Sequence, residues 1–132
     1  MLNVFRLPDF YFIDLPGYGY ARVSQTERAA FRRLLAHVLE RPRLAGAVWL
    51  LDLRHEPSAD DRAMQDMLRG EAVPVLAALT KADKLPRGQR LERARALRET
   101  LQLDDDQMVV TSATTGDGVT ELRDAIAALV AA

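Results

Sequence analysis

Three stretches of the sequence hold residues whose types and spacing could do chemistry. Asp14-Leu15-Pro16-Gly17 sets a carboxylate three residues ahead of a glycine. Thr80-Lys81-Ala82-Asp83 gathers a hydroxyl, an ammonium and a carboxylate, and Ser112-Ala113 offers a hydroxyl and two small-residue amides. Each stretch follows an apolar run of strand length, at residues 10–13, 73–79 and 108–110. A carboxylate at a strand end ahead of a glycine-containing turn is suited to ligand chemistry. Pro-Gly taken alone is first a turn signal. Strand ends gain meaning together, because open α/β sheets bind ligands outside the carboxyl ends of their strands.

Strands and helices must position these groups. Residues 2–6 and 10–14 are short extended runs around Leu7-Pro8-Asp9, so a β-hairpin is expected. The run Phe10-Tyr11-Phe12-Ile13 has the length of a buried strand. Ser24 and Glu27 have capping-box spacing ahead of an apolar stripe at Phe31, Leu34, Leu35, Val38 and Leu39. That helix should stop near Arg41, before Pro42. Residues 45–53 read as a buried strand. Ser58 with Asp61 repeats the cap, Met64, Met67 and Leu68 give a shorter apolar stripe, and Gly70 suits the left-handed residue past a helix end.

Residues 73–80 form the third apolar run, and Pro86-Arg87-Gly88 breaks the chain. Leu91, Ala94, Leu97 and Leu101 then mark a helix with an Arg-rich outer face, and Asp104-Asp105-Asp106 reads as a solvated loop. Residues 108–110 are a short strand. The last helix carries Val119, Leu122, Ile126, Leu129 and Val130 and starts near Asp117 or Gly118. The order β-β-α-β-α-β-α-β-α predicts a three-layer α/β fold, with a mostly parallel sheet and one antiparallel hairpin strand.

Composition narrows the function classes. A chain of 132 residues suits a single domain, 1–132, that buries roughly two-thirds of its unfolded surface. The net charge of −1 sets up no strong global field toward nucleic acid or membrane. The absence of cysteine excludes disulfides and thiolate metal sites. No signal-peptide pattern opens the sequence and no apolar run reaches 18 residues, so a soluble cytoplasmic protein with no membrane partner is expected. The 18 basic residues comprise 16 arginines and 2 lysines, and both lysines, Lys81 and Lys84, fall in one motif. His37 and His55 lack partners at metal-ligand spacing, and no Ser-His-Asp arrangement is evident. Gly17-Tyr18-Gly19 lacks the third glycine of a dinucleotide fingerprint. Tyr18-Gly19-Tyr20-Ala21-Arg22 reads either as an exposed loop or as rings on which RNA bases stack.

The three stretches together resemble P-loop GTPases. Asp14-Leu15-Pro16-Gly17 looks like their switch motif, Thr80-Lys81-Ala82-Asp83 like their guanine motif, and Ser112-Ala113 like their last base contact. The longer run Asp14-Leu15-Pro16-Gly17-Tyr18-Gly19-Tyr20-Ala21, with Asp52-Leu53-Arg54-His55 and Thr80-Lys81-Ala82-Asp83-Lys84, resembles the EngB GTP-binding proteins over essentially the whole chain. The resemblance implies GTP and GDP as ligands, Mg2+ as cofactor and slow GTP hydrolysis. It also implies a part in assembling the large ribosomal subunit, with rRNA as partner, and thereby in growth, division and septation.

By the same resemblance, Thr80, Lys81, Asp83, Ser112 and Ala113 surround the guanine base, Gly17 meets the γ-phosphate, and Asp14 reaches Mg2+ through water. Asp83 would accept the guanine N1 and N2 donors, a pair that adenine lacks. Lys81 would lay its stem along the base, and Ser112-Ala113 would present amides to O6. No catalytic residue is assigned beyond the switch candidates Asp14, Gly17 and Tyr18. Thr80 stands where most GTPases have Asn, as is usual in this subfamily. Tyr18 stands where many place the Gln that orients attacking water, so hydrolysis should be slow or need a group from elsewhere.

The sequence contains no Gly-x-x-x-x-Gly-Lys-Ser/Thr. Compared with the family, it therefore reads as a G domain without the N-terminal strand, phosphate loop and helix. That loop supplies the amide cradle, the phosphate lysine and a Mg2+ hydroxyl. Two charge-assisted bonds to the base are worth roughly 3–6 kcal/mol before binding entropy, whereas a millimolar Kd needs about 4 kcal/mol. Weak or undetectable nucleotide binding is expected. The missing strand would lie between those ending at Asp14 and Asp52, so self-association through an exposed sheet gap is also expected. The alternatives are a non-enzymatic truncated remnant and a ribosome- or RNA-binding module without nucleotide switching.

Overall fold

Hydrophobic periodicity sets the element order. In the computed structural model, which describes residues 2–15, 17 and 24–132, the chain runs β1 (Asn3–Arg6), β2 (Tyr11–Asp14), α1 (Gln25–Leu39), β3 (Ala47–Asp52), α2 (Ala59–Gly70), β4 (Val75–Thr80), α3 (Arg87–Leu101), β5 (Met108–Val110) and α4 (Val119–Ala131). Single 3-10 turns occupy Ala82–Lys84 and Asp105–Gln107. The described strands form two sheets, an antiparallel pair β1-β2 and a parallel trio in the order β3-β4-β5. This is a mixed α/β fold with two compact units: Met1–Leu44 with Ser58–Ala72, and Ala45–Pro57 with Val73–Ala132.

In the first unit, Leu7-Pro8-Asp9-Phe10 closes the hairpin, with the Leu7 N–H donating to the Phe10 carbonyl at 2.9 Å. Pairing runs from Arg6 opposite Tyr11 to Asn3 opposite Asp14. The buried strand expected at residues 10–13 is not observed. Tyr11 is 62% exposed, and Val4, Phe5 and Phe12 are exposed as well. The described ladder of β2 is with β1 alone, and a two-stranded ribbon has little means of covering a face. Phe10 and Phe12 instead pack edge to face, 5.2 Å between ring centres.

Helix α1 starts where Ser24 Oγ accepts the Glu27 N–H at 3.1 Å, and it buries Leu35 and Val38. At α2 both halves of the capping box form: Ser58 Oγ accepts from the Asp61 N–H at 3.0 Å, and Asp61 accepts from the Ser58 N–H at 2.8 Å. Met64 and Leu68 are core, and Met67 is half-buried. Gly70 remains helical. The left-handed residue is Ala72 (φ 53°), because the last turn closes later, through the Ala72 N–H to the Arg69 carbonyl.

In the second unit, β4 is the central strand, with Leu76, Ala77, Ala78 and Leu79 buried. β3 is an edge strand. Trp49 and Leu51 point into the core while Leu50, on the opposite face, is 63% exposed, so the expected two-sided burial is not met. Pro86-Arg87-Gly88 opens α3 rather than breaking the chain, since proline's fixed φ and missing N–H suit a helix start. Ala94, Leu97 and Leu101 are buried, but Leu91 is 62% exposed. The positions one turn before Ala94 and Leu97 are Arg90 and Arg93, and these half-buried arginines take the inner side. Among the described residues no helix is long and apolar enough to cross a membrane.

Gly118 caps the start of α4 with φ 74°, and a Cβ there would lie 1.9 Å from the Val110 carbonyl oxygen. Gly118→Ala should therefore cost about 2–4 kcal/mol through left-handed strain and backbone collision. At Gly88, on the exposed first turn of α3, a Cβ would meet nothing within 4 Å. Gly88→Ala should stabilise by about 0.5–1 kcal/mol. Urea melts of the two variants check the contrast, and equal midpoints would refute it.

Candidate functional site

In-register parallel pairing brings three strand ends to one edge of the second unit. Asp52 stands opposite Thr80, and Leu79 opposite Val110. Backbone bonds continue past the last pairs. The Leu53 N–H donates to the Thr80 carbonyl at 3.0 Å, the Thr111 N–H to Leu79 at 2.7 Å, and the Ala82 N–H to Thr111 at 3.0 Å. The Thr80 hydroxyl donates to the Leu51 carbonyl at 3.2 Å, so this side chain braces β3. Beyond it the chain turns at Lys81, whose φ is 62°. A non-glycine residue in this region is uncommon, and such strain collects at functional sites.

Asp83 follows in the 3-10 turn, with its side chain 16% exposed. Its Oδ1 accepts the Ser112 hydroxyl at 2.8 Å. Ser112 is fully buried. Its N–H donates to the Asp117 carbonyl at 2.9 Å, and its Oγ accepts the Thr115 N–H at 3.2 Å. Ser112 thus contributes its hydroxyl to this edge while its amide is engaged in its own loop. Ala113 beside it is exposed. Arg90 fastens the start of α3 to this loop, 3.7 Å from Asp117, and donates to the Leu85 carbonyl at 3.1 Å.

Asp52 is the electrostatic centre of the β3 end. Arg54 donates from Nε to Oδ1 at 3.0 Å, from Nη2 to Oδ2 at 2.8 Å, and from its backbone N–H to Oδ1 at 2.9 Å. Lys81 Nζ stands 3.5 Å and His55 Nε2 3.8 Å from Oδ2. The side-chain bond from Arg54 outweighs burial and holds the Asp52 carboxyl well below the usual carboxylate range. Arg93, from α3, donates to the Leu53 carbonyl at 3.3 Å and lies 3.7 Å from Glu56. The sequence had no signal for Arg93, because that contact spans 40 residues.

A carboxylate fixed through one oxygen by a buried hydroxyl keeps acceptor capacity on both oxygens. Asp83 can therefore meet two adjacent N–H donors on the edge of a planar base. Thr80, Lys81, Asp83, Ser112 and Ala113 all lie in this one unit. Asp14 and Gly17 belong to the first unit, where both are exposed. Tyr18, with Tyr20 and Arg22, lies outside the described residues. Among the described residues no group of three His, Asp or Glu side chains could hold a metal ion. These side chains do not by themselves make a magnesium site, and no step is assigned to one.

The sequence is 45% identical over 131 residues to a probable GTP-binding protein EngB from Syntrophomonas wolfei, covering 98% of this chain and 67% of that protein. A namesake from Anoxybacillus flavithermus is 44% identical over 123 residues, covering 91% and 64%. One from Gemmatimonas aurantiaca is 47% identical over 123 residues, covering 92% and 60%. The chain spans about two thirds of the length of the curated relatives it matches. No family model matches it. The crystal structure of a probable GTP-binding protein engB superposes with a TM-score of 0.83 over 98% of this chain and 81% of that one, at 20% identity, a likeness of fold.

The Asp52–Arg54 pair makes stability depend on pH. A carboxyl whose folded value lies below its ordinary 3.8 contributes stability above that value and loses it as pH falls further. Asp52→Asn should cost about 1–2 kcal/mol at neutral pH. The gap between variant and parent should narrow below about pH 4. Denaturant melts across pH check this, and a constant gap down to about pH 3 would remove the ion pair as its cause.

Proposed function

The chain belongs to the EngB family of GTP-binding proteins, and from that premise we propose that it carries the guanine-recognition half of a GTP switch serving assembly of the large ribosomal subunit. The observation that carries this reading is Asp83, oriented by the buried Ser112 hydroxyl at 2.8 Å beside the exposed Ala113. Guanine N1–H and N2–H would donate to the Asp83 carboxylate, the Ala113 amide would meet O6, and the Lys81 stem would lie along the ring. Thr80 supports the site through β3 rather than through the ligand.

In the complete GTPase, Gly17 would meet the γ-phosphate and Asp14 would hold Mg2+ through water, with catalysis by positioning and charge stabilisation. Residues 1–132 are read as part of one cytoplasmic G domain. Its partners are guanine nucleotide and rRNA, with self-association through the sheet gap beside β3, the edge strand of the described trio.

Titration of the 132-residue chain with GMP, GDP and AMP tests the reading. Binding should be weak, with Kd about millimolar, because base contacts alone supply little beyond about 4 kcal/mol. Guanine nucleotides should be preferred, and Asp83→Ala should abolish that preference. Micromolar GDP binding would overturn the expected weakness, and equal affinity for GMP and AMP would overturn the base site. Salt-dependent RNA binding without nucleotide would favour the binding-module reading instead.

A further inference from the structure

Two carboxylates and three cations share the edge formed by β3 and β4, and their partition is unequal. Asp52 takes Arg54 through three N–H bonds and has Lys81 Nζ at 3.5 Å. Asp83 has the neutral Ser112 hydroxyl at 2.8 Å and, among the described residues, one loose cation, Lys84 Nζ, at 4.0 Å. Arg54 lies in the field of both carboxylates. Its bond to Asp52 is the main cause that pushes its titration above the ordinary arginine range, and the charge of Asp83 adds a smaller push in the same direction.

A guanidinium is the strongest bidentate partner that a carboxylate meets, because its planar fork matches the two oxygens. The guanine edge presents a two-donor fork of similar geometry without charge. A cation seated on Asp83 would therefore occupy the very acceptors that the base needs.

We propose that Asp52 is a specificity-determining positioning residue, which gathers Arg54 and Lys81 onto itself and so keeps Asp83 open for an uncharged two-donor edge such as that of guanine. The proposal rests on the guanine-base reading above, and Asp52 itself touches no base. Geometry favours this division. Asp52 stands opposite Thr80 in the ladder, and the left-handed turn at Lys81 returns its ammonium to β3. Arg54 is two residues beyond Asp52 and bonds it with both backbone and side chain.

The first test uses the full chain without nucleotide and follows the Arg54 Nε–H resonance by 15N NMR. Asp52→Asn should shift it, and adding Asp83→Asn to that variant should shift it again, because the released guanidinium has moved to Asp83. Asp83→Asn in the parent chain should move it much less than in the Asp52→Asn background, because there Asp83 acts on Arg54 only through its field. An equal response to Asp83→Asn in both backgrounds would overturn the proposal. The second test titrates GMP and reads the Asp83 and Ala113 amides. Asp52→Asn should weaken GMP by about tenfold or more, and adding Arg54→Gln should restore at least about threefold of it. Loss without restoration would make Asp52 a mere loop support and would also overturn the proposal. A parent chain that does not prefer GMP to AMP counts against the base site alone. The Arg54 resonance in the free chain then still decides whether Asp52 holds Arg54 off Asp83.

Discussion

Within the second unit, the register of the parallel ladder from β3 through β4 to β5 brings the strand-end side chains to one edge. Asp52 opposes Thr80, and Leu79 opposes Val110. A slip of one residue would turn Trp49 and Leu51 out of the core and Leu50 into it. It would also break the bonds that carry the edge beyond the strands, from Leu53 to Thr80 and from Thr111 to Leu79. Core burial and site geometry are thus one constraint. The same alternation that hides Trp49 and Leu51 delivers Asp52 beside the turn at Lys81.

That edge is rich in charge, and its chemistry depends on who pairs with whom. Asp52, with both oxygens engaged by Arg54, acts as an anchor. Asp83, with one oxygen held by a fully buried serine hydroxyl, is oriented by a neutral partner. Two carboxylates on one sheet edge thereby take different roles from their surroundings alone. The Arg90 and Arg93 contacts from α3 hold the two loops that carry these roles.

Both units also leave apolar strand residues uncovered. Val4, Phe5, Tyr11 and Phe12 do so on the hairpin and Leu50 on the edge strand. A two-stranded ribbon and a sheet edge have fewer neighbours than a central strand, as the buried run in β4 shows by contrast. Periodicity in the sequence reports which side chains are apolar, and the neighbours of each strand decide whether those side chains find cover.

Local chemistry was legible in the sequence: the hairpin turn, the Ser24 and Ser58 caps, the buried stripes of α1 and α3, and the three strand-end motifs. Each follows from contacts within a few residues, where propensity and spacing carry the information. Element limits failed where local rules competed. Pro86 began a helix where Pro-Arg-Gly reads as a chain break, and Ala72 took the left-handed position assigned to Gly70. Tertiary structure alone decided the rest. It set Arg90 and Arg93 inward in place of Leu91, tied them to Asp117 and Leu53, and drew Lys81 onto Asp52. Those outcomes depend on strand register and on which of several partners stands nearest in space, and a one-dimensional string of residue types does not encode distance.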